Sequence, residues 1–207
     1  MAAVSEAGRL PAAYAYLDLA EPDLNTTAAA LAAAGHRRAV VVPLLFTAAF
    51  HATIDVPQAV QAAAESSGVD LLVADILGTG DDIAELLSAG LAEAGVARGA
   101  SVLLYAVGSS NPAANAAVVD LAARLERDHS APVRVAFATC APRPAEVLDQ
   151  LGETVAVLPL FLSDGLLLDP VRTLAAEHDW SVLEPMGERV AGIVLHRYRS
   201  ALAQPDR

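Results

Sequence analysis

The sequence predicts an α/β fold made of two similar doubly wound parallel-sheet halves, the first lacking its opening strand–helix unit. Three observations lead there. Short apolar runs alternate with Ala/Leu-rich stretches along all 207 residues, the mark of repeated strand–helix units. Most of those runs are almost continuously apolar, as in SVLLYAV (101–107) and TVAVLPLFL (154–162). That pattern belongs to parallel strands covered on both faces. The chain also repeats itself: 37–64 lines up with 153–176, and 13–31 lines up with 133–151.

In chain order, AYAYLDL (13–19), RAVVVPLLF (38–46), DLLVADIL (70–77), SVLLYAV (101–107), VRVAFAT (133–139) and TVAVLPLFL (154–162) read as strands. The intervening stretches, such as ELLSAGLAEAG (85–95) and VVDLAARLERD (118–128), space their charges as helices do. Helix starts are marked by Asp55 before Pro57, Asn111 before Pro112 and Asp169 before Pro170. Each pairs a capping side chain with a proline suited to the first turn. Gly35 and Gly95 mark helix ends.

The repeat divides the chain into halves at 1–98 and 99–207, joined near 97–100. It also exposes an asymmetry. The second half opens with a strand, a glycine-serine loop and a helix (101–128), whereas the first opens on MAAVSEAGRL and passes directly to its next strand.

Composition excludes several classes. Hydrophobic residues make up 55% and charged residues 18%, so a folded core is expected in place of disorder. No apolar run reaches the roughly 18 residues of a membrane span. The net charge is −12 and the basic residues are scattered, with Arg37-Arg38 the adjacent pair. Nucleic acid is therefore not an expected partner, nor is a membrane. One cysteine, Cys140, and no secretory leader pattern point to the cytoplasm.

Few residues carry chemistry. His51 falls in the loop after a predicted central strand, where open α/β sheets bind ligands, and imidazole is a common metal ligand and proton acceptor. It reads equally as a histidine bonded to a backbone carbonyl. Asp18 ends the neighbouring predicted strand; it either shares the crevice with His51 or caps a helix. Glu21, before Pro22, is a lesser candidate of the same kind. GSSNP (108–112) offers backbone N–H groups to an anion through Ser109 and Ser110, or is simply a turn with an N-cap. It lacks the lysine of a nucleotide-binding loop. Cys140, Met186 and Trp180 read as packing residues, and His36, His129, His178 and His196 as solvated.

Taken together, YLDLAEPDL, VVVPLLFTAAFHATIDVP, VGSSNP and VLPLFLSDGLLLDPVR resemble the sirohydrochlorin chelatase family, the cobalt- and iron-inserting chelatases of tetrapyrrole biosynthesis. The resemblance covers nearly the whole chain in order. It implies two similar α/β halves with a cleft, and a lyase of siroheme or cobalamin biosynthesis acting on a sirohydrochlorin-like tetrapyrrole. It implies no permanently bound cofactor, cobalt or iron entering as substrate. By the same resemblance His51 binds the metal or removes pyrrole protons, helped by Asp18, where the family has glutamate. For such a reaction Phe50, with Leu44, Phe46 and 166–168 opposite, is expected to flank the ring, and Ser109 and Ser110 are expected to take a peripheral carboxylate. The family opens with a strand and His-Gly-Ser, whose histidine is a principal metal ligand; this sequence begins past that point, and Val107 stands at the second-half counterpart. A start placed late in the natural protein is the expectation, with a non-catalytic metal- or tetrapyrrole-binding form as the alternative. A homodimer is expected from the uncovered edge of the first sheet.

Overall fold

The computed structural model describes residues 2–8, 10–17, 20–48 and 54–203. In chain order they form α1 (Ala2–Gly8), α2 (Leu24–Ala33), β1 (Arg38–Val41), α3 (Val56–Ser67), β2 (Asp70–Val73), α4 (Asp81–Glu93), β3 (Ser101–Ala106), α5 (Pro112–His129), β4 (Val133–Phe137), β5 (Val155–Pro159), α6 (Asp169–Glu177), β6 (Ser181–Val182) and α7 (Ala191–Ala203). Every strand pair is parallel, as near-continuous apolar strands require.

The chain folds as two compact units, 1–78 with 190–207, and 79–189. These are not the sequence halves 1–98 and 99–207. Helix α4 packs on α5 and so joins the second unit, where Arg189 bonds the Leu86 carbonyl and pairs with Glu93 at 3.1 Å. Helix α7 joins the first unit, because Arg197 donates to the carbonyls of Ile76 and Leu77 at 2.9 and 2.6 Å.

In the second unit the strand order is β4-β3-β5-β6. Central β3 is buried along its whole length. Its side chains Leu103 and Tyr105 share a core with Ala136, Val155, Val157, Phe161 and Val171. Helix α5 covers one face with Ala114, Val118, Leu121, Ala122 and Leu125, at helical spacing. Its start is as the sequence predicts: the Asn111 side chain accepts the Ala113 N–H at 3.0 Å and Pro112 follows. Its end is not, since His129 is 8% exposed, with Nε2 3.2 Å from the Ala100 carbonyl oxygen. A long-range backbone partner, invisible locally, draws that imidazole inward from the polar run ERDH. The strand β6 was also not among the sequence-predicted strands; at two residues it is too short to show a pattern.

The outer strand β4 is closed to further pairing at both ends. Its Val133 N–H donates to the Glu126 carboxylate at 3.3 Å, and its Phe137 N–H donates to the Pro142 carbonyl at 2.9 Å. Such plugs keep an edge from recruiting another chain.

The first unit has a two-stranded sheet, with β1 pairing β2 in register from Arg38↔Asp70 to Val41↔Val73. The strand expected at 13–19 does not form among its described residues, 13–17: only Tyr16 makes a bridge, to Asp23. The reason is a missing neighbour. The equivalent strand β4 is built along β3, and among the described residues of the first unit nothing stands in the place of β3. A strand without a partner cannot satisfy its backbone by a ladder. The turn that follows is nevertheless kept, for the Tyr16 N–H donates to the Pro22 carbonyl at 2.9 Å just as Phe137 does to Pro142. Asp23 then caps α2, accepting the Thr26 N–H at 2.7 Å, which holds its carboxyl below the ordinary range.

Truncating the middle of β3 tests this account. Leu103→Ala should cost about 3–4 kcal/mol of unfolding free energy, because a fully buried site with strands on both sides cannot collapse onto the cavity. Denaturant titration reads it, and a loss below about 1 kcal/mol would contradict the central place given to β3.

Candidate active site

Ligands of open α/β sheets bind beyond the carboxyl ends of the strands, so the loops at those ends define the site. In the first unit the chain leaves β1 through a buried Pro43 and an exposed Leu44. Gly78 N–H donates to the Leu45 carbonyl at 3.1 Å, so the two chains stay aligned past the ladder. Helix α3 starts at Val56 with Pro57 in its first turn and buries Val56, Val60 and Ala63. His51 and Phe50 fall in sequence between these two described stretches; they and Asp18 lie outside the described residues. Glu21 serves its own turn, its carboxylate accepting the Asp23 N–H at 3.0 Å.

In the second unit three loops leave one edge, 107–111 after β3, 138–143 after β4 and 160–168 after β5. Register brings their starts level, Ala106 opposite Phe137 and Tyr105 opposite Pro159. The first two are tied together, since Thr139 donates from its N–H and its hydroxyl to the Val107 carbonyl at 2.9 and 2.8 Å. Gly108 makes the approach possible: its φ is +85°, and a Cβ there would sit 2.7 Å from Cys140 Sγ and 2.8 Å from Phe137 Cβ.

The glycine-serine loop uses its own polar groups. Ser109 N–H donates to Asn115 Oδ1 at 2.9 Å, and Asn115 Nδ2 returns a bond to the Ser109 carbonyl at 2.8 Å. Asn111 N–H donates to Ser109 Oγ at 3.0 Å. The backbone donors expected to receive an anion are therefore in part occupied; Ser110 is exposed. Asn115 was not singled out from the sequence. An asparagine one turn inside a helix that follows a glycine-serine loop is the signal that marks it.

On the third side, the Tyr105 hydroxyl donates to the Leu167 carbonyl at 2.9 Å and its ring stacks on Phe161 at 5.7 Å. Burial raises the phenol above its ordinary range, and the guanidinium of Arg143 draws it partly back. Leu166 is 85% exposed and Leu167 is exposed too, while Leu168 is fully buried and belongs to the core, not to a ligand surface. Val107 is exposed at the end of β3. Among the described residues no group of three or more His, Cys, Asp or Glu side chains is placed to hold a metal ion. A groove of about 430 Å³ between α5, β4 and the turns at 144–150 runs along the outer strand, lined by Val119, Val135 and Val147 and reaching Phe137 and Pro142 at the loop after β4.

The model of the CbiX family matches residues 1–94 and 101–201. The chain belongs to the CbiX family. Among its relatives, the sirohydrochlorin ferrochelatase of Bacillus subtilis (strain 168) is 28% identical over 166 residues, 75% of this chain and 63% of that one. The sirohydrochlorin cobaltochelatase of Sulfurisphaera tokodaii is 34% identical over 74 residues, 36% of this chain and 59% of that one. The chain thus spans about three fifths of the length of these two relatives. Among solved structures, SirB from Bacillus subtilis with Fe3+ superposes with a TM-score of 0.81 at 23% identity, covering 99% of this chain and 89% of that one. CbiX membership and this likeness agree with the parallel α/β architecture read from the sequence. Among the described residues, no helix is long and apolar enough to cross a membrane.

The Asn115 bracket makes a measurable contribution. Asn115→Ala removes two hydrogen bonds and strands the Ser109 N–H and carbonyl, so it should lower stability by about 1–3 kcal/mol. Denaturant unfolding of the variant reads this, and a stability equal to wild type would show that the loop does not need the bracket.

Proposed function

We propose that this chain is a chelatase that inserts a divalent metal, cobalt or iron, into sirohydrochlorin or a closely similar tetrapyrrole, in siroheme or cobalamin biosynthesis. Membership of the CbiX family and the names of its relatives support the reaction class. The observation that carries the reading is where large apolar side chains are left exposed. Leu44 follows β1, Val107 follows β3, and Leu166 and Leu167 follow β5, so the loops at the ligand-binding ends of both sheets present hydrocarbon to solvent. Exposed apolar side chains at that end suit a ligand with a broad apolar face.

The reaction exchanges one divalent metal for two pyrrole protons, so charge balances without redox change. The metal is a substrate, and the protein needs only to present it and accept protons. In this reading His51 does that work through a ring nitrogen, which as neutral imidazole either holds the metal or takes a proton, one lone pair serving one purpose at a time. Asp18 orients the imidazole or shares the metal. Phe50 and Leu44 of the first unit, and Leu166 of the second, are each suited to an apolar ring face. Ser109 and Ser110 retain hydroxyl donors for an acidic side chain of the macrocycle.

A cobalt-insertion assay with sirohydrochlorin, followed by absorbance, tests the proposal. Wild type should exceed the rate with metal alone, and His51→Ala should lose about 100-fold or more. Leu166→Ser should unfold like wild type, since that side chain is 85% exposed, yet show a raised KM. No acceleration by wild type sinks the chelatase reading; binding of the tetrapyrrole without insertion replaces it with a carrier.

A further inference from the structure

The expected anion site at the second sheet is partly spent, and a different residue beside it is not. Ser109 N–H and Asn111 N–H are both bonded within the loop. With those two donors engaged, an acidic ligand group arriving at this edge gains most from a charged side chain. Two arginines stand on the loops and helix there, Arg143 after β4 and Arg172 in α6. Arg172 is paired with Asp164. Arg143 is exposed, and among the described residues its guanidinium has no acidic partner; one of its nitrogens donates to the Ala138 carbonyl. The acid next to it, Glu146, is engaged by the Arg143 backbone N–H.

That arrangement leaves an oriented and unneutralised fork. A guanidinium has five N–H donors, and one bond to Ala138 fixes its direction while leaving donors for a carboxylate in bidentate geometry. The setting matters in a chain of net charge −12. Arg38, Arg124, Arg134, Arg172 and Arg189 all stand in ion pairs. Ala138, whose carbonyl the guanidinium meets, packs against the core cluster that holds Tyr105 and Leu168, and the Tyr105 hydroxyl bonds the Leu167 carbonyl. The cation is thus tied to the loop after β4, whose start lies beside the end of central β3. A free cation at an edge that also exposes leucine matches a ligand that is apolar on its face and acidic at its rim.

We propose that Arg143 is a substrate-binding residue that anchors a peripheral carboxylate of the macrocycle. The inference rests on the reading that the substrate is an acidic tetrapyrrole. It is tested by titrating metal-free sirohydrochlorin, and its carboxyl-esterified form, into wild type, Arg143→Ala and Arg143→Lys, followed by fluorescence.

Arg143→Ala should weaken binding of the free acid about 10- to 100-fold, with Arg143→Lys between the two, because lysine restores the charge without the fork. The difference between wild type and Arg143→Ala should shrink with added salt and vanish for the ester, which a merely structural arginine would not produce. Acetate and succinate at millimolar concentration should not compete, since a lone carboxylate lacks the apolar face; competition by them would overturn the assignment in favour of a general anion site. Equal affinity of wild type and Arg143→Ala for the free acid, or an equal loss for acid and ester, also overturns it. If wild type still inserts cobalt in either case, only the anchor falls. If wild type neither binds the tetrapyrrole nor inserts metal, the chelatase reading falls with it.

Discussion

The second unit depends on one strand being paired on both sides. Strand β3 lies between β4 and β5 and is buried from Ser101 to Ala106. Its apolar side chains, Val102, Leu103 and Leu104, leave water completely, the largest favourable contribution a short strand can make. Pairing also sets geometry. Because both neighbours run parallel to β3 in fixed register, their ends come level, and three loops are delivered to one edge. The Gly108 turn, the Thr139 bonds to Val107 and the Tyr105 bond to Leu167 are all consequences of that levelling. A site built of loop residues gains its precision from the rigid strands beneath it.

The first unit shows what the same repeat does when nothing takes the place of β3 among the described residues. Its β1 is only half-buried, whereas the equivalent β5 is buried at every residue. The segment matching β4 stays without a ladder and leaves Tyr14 and Tyr16 exposed, their rings in edge contact at 5.7 Å. Local chemistry survives the loss: the carbonyls of Pro22 and Pro142 accept corresponding bonds. Turns are encoded locally, by proline and by short-range hydrogen bonds. Strands are encoded by pattern but realised only by a partner.

That distinction explains what was legible in the sequence. The parallel α/β class, the positions of β1 to β5 and the Asn111 cap were legible because each depends on a few adjacent residues. The exchange of α4 and α7 between units was not, because it depends on Arg189 and Arg197 finding carbonyls far away in sequence. His129 was misplaced for the same reason, and Leu168 because an apolar triplet in a loop does not say which member turns inward. For the site, the sequence yields an expected place, the carboxyl ends of the strands, and expected residue types. Asn115 and Arg143 escaped because their importance lies in which groups they do and do not bond. His51, Asp18 and Phe50 were picked out by motif and position alone.

The repeat gives the protein two strand ends of one topology, and the sequence has furnished them differently. After β1 the sequence has His51 within the apolar run LLFTAAFHATI. After β3, β4 and β5 it places Val107, Cys140, Arg143 and Leu166, with no histidine among 101–128 and 133–168. Imidazole and guanidinium are suited to opposite tasks. A neutral imidazole offers a lone pair to a metal or a proton, while a guanidinium offers only donors and repels a cation. A guanidinium placed beside a metal-presenting imidazole would oppose metal entry by charge repulsion, and an imidazole in place of Arg143 would hold a carboxylate only while protonated. If His51 and Arg143 act as proposed, divergence of the two copies separates chemistries that interfere at a single centre. On the proposed reading, His51 handles the metal and its protons, and Arg143 holds an acidic group of the ring.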